Sequence, residues 1–599
     1  MGLICHRLKA VRSLEWPRNI VWVHSVPKVT RDRHRSEDHQ LMLAAFTYYR
    51  RGRSNNPERL AHRLAHDADS FWTEVMALAE ADRQLVVVAF NAGYDSILLD
   101  TFRQLARRGW RQQFLYYRGR TTILAFEKDG RKLRFVGLGN YLSGTLLEWA
   151  SRLNIGLPVA HGRRGDLAAP AAYAEAAARV LEAAWRKWHG FCLDNGLGKF
   201  ALTASGQAFN AFRRRFMKEA IYIHNNPKAI KLERAGYLGS RVECGRLGAC
   251  PGGPFYTLDV NGMYPYIMRD ERLPCRLKGR VLCTSVPALE RMAKRHGVMA
   301  EVLVKTDEPA YPCRKKHLLL FPVGTFWTTL ATPELRHALA AGRIVGVRQA
   351  CLYDREVLFR EYILFIRRLR SGYRRAGDKA MEEMCKLMAN SLYGKFGQQA
   401  DQVEEIDCPP GTRDGEICET SDVTGETWSV LTVAGQSWQT KGKAEAFESF
   451  PAIAAHVTSA ARLYLWELMC QCGLSNVLYC DTDSIVTTAE GVLRLEAFLH
   501  PSRLGAMKLK DVSDSLYIGG AKRYRTDHLI VSAGLKSDAE LVEGDTWEQS
   551  KWNRLQTCLA KGTLDTVTVR RRTVTHRLAY PKGAVLPDGA VVPFELSEA

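Results

Sequence analysis

The stretch "NVLYCDTDSIVT" (476–487) places Asp481 and Asp483 one residue apart inside an apolar, β-branched run. The flanking "VLYC" and "SIVT" read as hairpin arms, with DTDS as the turn. Two adjacent carboxylates at the end of buried strands repel each other and lose hydration, which is costly unless a cation neutralises them. A solvated turn of Asp, Thr and Ser accounts for a bare DTD just as simply. A third acid and a substrate site are needed to decide. The acid is Asp259 in "PFYTLDVNGMYPYIM", at the end of an apolar strand and ahead of a glycine turn and an aromatic segment. Taken alone it reads as a strand-end cap. With Asp481 and Asp483 it could hold two Mg2+ ions, one at an attacking hydroxyl and one at a triphosphate.

The substrate site is suggested by "CKLMANSLYGKFGQ" (385–398). On a helix, Lys386, Asn390, Tyr393 and Gly397 fall within roughly 60° of one another. Met384, Leu387, Met388 and Leu392 point largely elsewhere and can pack. A cation, an amide and an aromatic ring on one face suit a nucleotide, with Lys386 for phosphate and Tyr393 for stacking. An amphipathic helix with a solvated face is the plain alternative.

The elements that must carry these residues follow from pattern. A strand, turn and helix are expected around 255–268, and a helix over about 453–472 leads into the DTD hairpin. A helical pattern from about 354 to 396 is broken by "SGYRRAGDK", which predicts two antiparallel helices. Arg367, Arg370 and Arg374 line one stripe of the first. Residues 1–225 mix strand-like runs such as "LVVVAF" with helical stretches such as "YAEAAARVLEAAWRKWHGF", an α/β pattern. The acidic, turn-rich 398–445 reads as an inserted hairpin or loop, and the tail from 526 as a small β-rich subdomain.

The chain has 599 residues, beyond one ordinary core, with 46% apolar and 25% charged residues. A net charge of +21 suggests a polyanionic partner. Fifteen cysteines contain no CxxC pair. The spacings of Cys244 with Cys250 and of Cys275 with Cys283 fit no zinc pattern, so reduced thiols are expected. No apolar run is long enough to span a bilayer. The opening "MGLICHRLKAVRSLEW" is too charged for a signal peptide, and His6 stands where myristoylation wants Ser or Thr. A cytoplasmic protein without a membrane partner is expected, from a bacterium or phage.

"DVNGMYP", "KLMANSLYGKFG" and "YCDTDS" occur in this order, and they resemble motifs A, B and C of family B DNA polymerases, most closely the protein-primed branch of bacteriophages and linear plasmids. "YLGSRVE" (237–243) is similar to the branch's YxGG segment, with Ser240 in place of the second glycine, and "KRY" (522–524) to its KxY motif. The resemblance implies that Asp259 and Asp483 bind metal directly, with Val260 through its carbonyl and Asp481 more weakly. The catalytic set is then Asp259, Asp481 and Asp483, with two Mg2+ ions and Mn2+ as a substitute. Tyr264 is implied beneath the incoming sugar, excluding ribonucleotides, and Lys386, Asn390, Tyr393 and Arg374 around the dNTP. Gly262 stands where the family usually has Ser, which removes a small contact near the triphosphate. DNA contacts are implied for Tyr237, Gly239, Arg241, Ser391, Gly394, Lys522 and Tyr524.

Family members usually carry a 3′–5′ exonuclease ahead of the polymerase, built on four carboxylates. "AFNAGYDSILLD" keeps Asn91, Tyr94 and Asp95 of one element. The first strand, "RNIVWVHSVPKV", has no acid, and the YxxxD helix reads Tyr173 to Ala177. Glu175 points about 160° away from the required face. Too few acids remain to hold two ions, so proofreading is expected to be lost, while Asn91 and Tyr94 still touch a single strand.

The expected fold is a multidomain α/β right-hand polymerase of palm, fingers and thumb behind a ribonuclease H-like domain. Its parts are a degenerate exonuclease-like domain (1–225), a first palm part (226–345), fingers (346–397), an insertion (398–445), a second palm part with motif C and KxY (446–525) and a thumb (526–599). The expected function is DNA-directed DNA synthesis on a primer 3′-hydroxyl. Partners are template, primer and dNTPs, with a priming protein or another replication or defence partner left open. A catalytically inactive nucleic-acid-binding scaffold is the alternative.

Overall fold

The computed structural model describes residues 5–33, 36–52, 57–81, 83–158, 169–421, 427–536 and 538–597. Its N-terminal sheet is organised by Asn19–Arg31. On one side this strand pairs antiparallel with Glu37–Arg50, which in turn pairs with Arg59–Ala65. On the other side it runs parallel to Leu85–Ala89, which runs parallel to Arg131–Gly137. Three antiparallel strands followed by two parallel ones give the ribonuclease H-like order. A parallel strand is covered on both faces, which is why "LVVVA" is apolar throughout. Val86 and Val88 join one core, while Leu85, Val87 and Ala89 join another across the sheet. Helix Pro170–Asp194 supplies Leu181, Trp185 and Trp188 to the first of these cores.

A five-stranded antiparallel sheet runs in the order Val242–Cys244, Val477–Asp481, Ser484–Thr487, Phe255–Val260 and Met507–Ser513. Helix Pro451–Cys472 is buried nearly all round, as its alanine-rich, weakly amphipathic sequence requires. Strands Leu273–Leu282, Gly297–Thr306, Val323–Ala331 and Ile344–Glu356 form most of a seven-stranded sheet.

Helices Arg360–Arg375 and Lys379–Phe396 form the expected antiparallel pair. Two residues make the reversal. Gly377 takes the left-handed conformation (φ +71°), and the Asp378 carboxylate accepts from Met381 N–H at 3.1 Å to start the second helix.

Residues 399–445 fold as a four-stranded antiparallel sheet, two hairpins rather than one. Ala434 and Gly435, both with positive φ, make the two-residue turn between Val433 and Gln436. This sheet reaches the N-terminal domain through Arg118–Asp401 and Arg111–Glu405, both 2.6 Å. The C-terminal region is β-rich, but its strands disperse. Thr546–Trp552 pairs with Val567–Thr575, whose Val567–Val569 adds to Glu37–His39 of the N-terminal sheet. Glu595–Ser597 adds to the seven-stranded sheet beside Val323–Thr325. Among the described residues, no helix is long and apolar enough to cross a membrane.

Candidate active site

The antiparallel register brings the acids together. Asp259 faces Ser484 across the sheet, and Val260 N–H donates to the Asp483 carbonyl at 2.7 Å. Asp481 and Ser484 close the hairpin, with Thr482 and Asp483 at its turn. Thr482 has φ +60°, a strained conformation for a β-branched residue. Three contacts hold it there. Its N–H donates to the Arg241 carbonyl at 2.8 Å, and its hydroxyl lies 2.8 Å from Asp481 Oδ1 and 2.9 Å from Ser240 Oγ.

Burial, and then the charge of Asp259, pushes the Asp483 carboxyl up to about 6. Lys510 Nζ lies 2.9 Å from Asp259 Oδ1, and Lys508 Nζ lies 3.6 Å from Oδ2. Sequence reasoning missed both lysines. "MKLKD" was the available signal, because on a strand its two lysines share a face. Asp481 turns the other way, toward Lys522 Nζ at 3.5 Å and the Tyr479 hydroxyl at 3.4 Å. Among the described residues no three His, Cys, Asp or Glu side chains close on one point. The acids therefore stand as a pair, Asp259 and Asp483, with Asp481 to one side. Two carboxylates and the Val260 carbonyl fit a divalent cation that completes its shell with water and phosphate oxygens.

The aromatic and cationic groups meet this pair. Tyr264 follows the turn at Gly262, whose φ of +64° suits glycine. Its ring stacks on Tyr393 with centroids 4.9 Å apart, and burial raises both phenols. Lys386, exposed on the same helix as Tyr393, acts electrostatically on Asp483. Asn390 is half-buried on that helix, and a side chain at Gly394 would point into open space. Ser391 Oγ is buried without a hydrogen-bond partner. Arg374 instead meets Glu382, with its Nε 2.8 Å from Oε1, a carboxylate that Arg370 also approaches.

On the loop after helix Pro227–Gly236, the Tyr237 ring packs over Gly397, where a Cβ would come within 2.5 Å of it. Gly239 is exposed. Arg241 corrects an expectation, because its side chain points inward rather than toward DNA. It is 1% exposed, paired with Glu243, and sandwiched against Phe321 and Trp466. Packing binds its side chain, and its carbonyl accepts from Thr482 N–H. Lys522 N–H donates to the Tyr479 hydroxyl at 2.9 Å, and Tyr524 packs on the same ring.

The N-terminal site differs in kind. Asp95 is buried, accepting from Ser25 N–H (3.2 Å) and Asn91 N–H (3.3 Å), and burial pushes its carboxyl up to about 7. Among the described residues no group of three acids, histidines or cysteines forms around it. His24, held down to about 4 by burial, meets the edge of Tyr173. Ala177 is fully buried, and Ala174 and Ala178 pack on Val26, Leu43 and Ala45. Asn91 stays exposed, while the Tyr94 hydroxyl is 2.8 Å from His39 Nδ1 and its ring packs on Trp552.

Comparison with known proteins matches this geometry. Residues 199–446 fit the family model described as DNA polymerase type B, organellar and viral. The DNA-directed DNA polymerase of Enterobacteria phage PRD1 is 28% identical over 305 residues, 49% of each chain. A probable DNA polymerase of Neurospora intermedia is 24% identical over 302 residues, covering 47% of this chain and 30% of that protein. The chain thus spans about half or less of the length of these relatives. Phi29 DNA polymerase complexed with single-stranded DNA superposes with a TM-score of 0.63 at 13% identity, over 94% of this chain and 100% of that one. Its ternary complex with primer-template DNA and incoming nucleotides gives 0.62 at 13% identity, again over 94% and 100%. Through its centre the sequence is similar to the organellar and viral type B DNA polymerases, and along nearly its whole length the fold is similar to that of phi29 DNA polymerase.

Proposed function

We propose that this protein is a DNA-directed DNA polymerase that adds dNTPs to a primer 3′-hydroxyl and does not proofread. One observation carries the proposal: Asp259, buried at the end of its strand, and Asp483, half-buried at the adjoining hairpin turn, lie by a stacked tyrosine pair and the Lys386 ammonium. An inactive scaffold would gain nothing from two like charges held so close.

Asp259, Asp483 and the Val260 carbonyl would hold divalent metal, Mg2+ or Mn2+. When bound, the ions activate the primer hydroxyl and carry the charge of the departing pyrophosphate. The chain's own groups do the rest. Lys386 neutralises the triphosphate, with Arg374 joining it once Glu382 is exchanged for phosphate. Tyr264 lies under the sugar, where its ring meets a 2′-hydroxyl, and Tyr393 and Asn390 complete the nucleotide wall. Lys522 and Tyr524 steady the primer end. Tyr237, Gly239, Ser391 and Gly394 line the template path, and Asn91 and Tyr94 a single strand.

Residues 1–225 serve as a degenerate exonuclease-like domain, 226–345 and 446–525 as palm, 346–397 as fingers and 526–599 as thumb. Residues 398–445 form an insertion between motifs B and C, tied to the N-terminal domain by ion pairs. Partners are template, primer and dNTPs, with a priming protein or another replication or defence partner starting synthesis in the cytoplasm of a bacterium. The test is primer extension with Mg2+ and dNTPs: products longer than the primer are expected, and none would overturn the reading.

A further inference from the structure

We propose that Lys510, with Lys508 beside it, is a positioning residue that holds Asp259 in an ion pair until a primer end draws the ammonium away, so that DNA binding and metal binding at this acid favour each other; this rests on the polymerase reading above.

An irregularity in the sheet builds this contact. In strand Met507–Ser513, at the edge of the five-stranded sheet, Lys508 faces Asp259 and Leu509 faces Leu258, but Thr257 is opposite Asp511. Lys510 is therefore the extra residue of a β-bulge, a feature that re-aims a side chain. Leu258, Val260 and Met507 point into the main core, so Asp259 and Lys508 occupy the opposite face of the sheet. On that face Lys510 Nζ lies 2.9 Å from Asp259 Oδ1, and Lys508 Nζ lies 3.6 Å from Oδ2. Each oxygen through which Asp259 would ligate metal thus has an ammonium against it.

The partners differ in freedom. The Asp259 side chain is 11% exposed, while those of Lys510 and Lys508 are 50% and 38% exposed. The sheet fixes the acid, whereas each lysine ends a flexible stem in solvent and can leave. Departure without a substitute is costly, because Asp259 would stay buried and charged beside Asp483. A phosphodiester offers Lys510 another partner, and a divalent cation offers Asp259 one. A primer whose 3′-hydroxyl comes to Asp259 brings a phosphodiester on the same nucleotide. Each exchange lowers the cost of the other, which is a coupling free energy between DNA and metal. A lysine present only to neutralise the strand would compete with metal equally with and without DNA.

Mn2+ titrations of the full chain test this, read by the electron paramagnetic resonance signal of the free ion, with and without primer–template and in the absence of dNTPs. For Lys510→Gln the Mn2+ Kd without DNA should fall about tenfold, through loss of one charge-assisted contact to the acid. Primer–template should tighten Mn2+ binding in the wild type, and should do so about tenfold less in Lys510→Gln. Lys510→Arg should keep the wild-type coupling, and Lys508→Gln, which removes the longer contact, should change it less. In saturating Mn2+, the salt dependence of primer–template binding by Lys510→Gln should be shallower by about one unit of slope. An unchanged Mn2+ Kd in Lys510→Gln, a DNA-induced gain equal to that of the wild type, or an unchanged salt slope would overturn the coupling. A wild type that extends no primer with Mg2+ and dNTPs would instead overturn the polymerase reading beneath it.

Discussion

Asp483, half-buried at the hairpin turn, and Asp95, buried on helix Ala92–Leu98, are both carboxyl groups that burial pushes up, to about 6 and about 7. Their surroundings separate them. Asp483 shares its site with Asp259, two lysines on the next strand and Lys386 on the finger helix. Asp95 accepts from two backbone N–H groups, and burial is the main cause that raises it. A lone buried acid can satisfy itself by taking up a proton. Two adjacent acids ringed by cations make a place for charge to be exchanged.

The contrast breaks most sharply if the paired acids prove dispensable. Asp259→Ala or Asp483→Ala should reduce primer extension on the order of 10³-fold with DNA affinity largely kept, as measured by extension rate beside a binding titration; normal extension by either variant would remove the distinction. Lys386→Ala should raise the KM for dNTP on the order of tenfold, by loss of a charge-assisted phosphate contact, while leaving primer–template binding alone. An unchanged KM would place the triphosphate elsewhere.

The smallest effect probes the other site. Asp95 has a folded value near 7 against an ordinary 3.8, so its carboxyl favours folding when protonated. That stability is full below about 4 and is lost as pH rises through 7. Between pH 5 and 7 the wild type should therefore lose about 2 kcal/mol relative to Asp95→Asn. Denaturant midpoints of the two proteins across that range check it. A constant difference would mean that Asp95 is charged throughout and not isolated.

Much of the catalytic centre was legible in the sequence because it is local. The strand, turn and helix from Phe255 to Asp270 and the helix pair around Gly377 follow from apolar period and turn chemistry. Long-range pairing was not legible. Nothing in "VTVRRRTVT" says that Val567–Val569 will join a strand more than 500 residues earlier. The periodicity of a helix likewise cannot tell a guanidinium that meets phosphate from one that meets Glu382, as Arg374 does. Arg241 was misplaced because a buried arginine needs aromatic and acidic neighbours, and Phe321, Trp466 and Glu243 come from three separate segments.

One labelled primer–template with a mismatched 3′ end, beside a matched one, weighs the two regions together. With Mg2+ and dNTPs the matched primer should lengthen, and with Mg2+ alone neither primer should shorten. Steady trimming of the mismatched end, abolished by Asp95→Ala, would contradict the account, as would a matched primer that never grows.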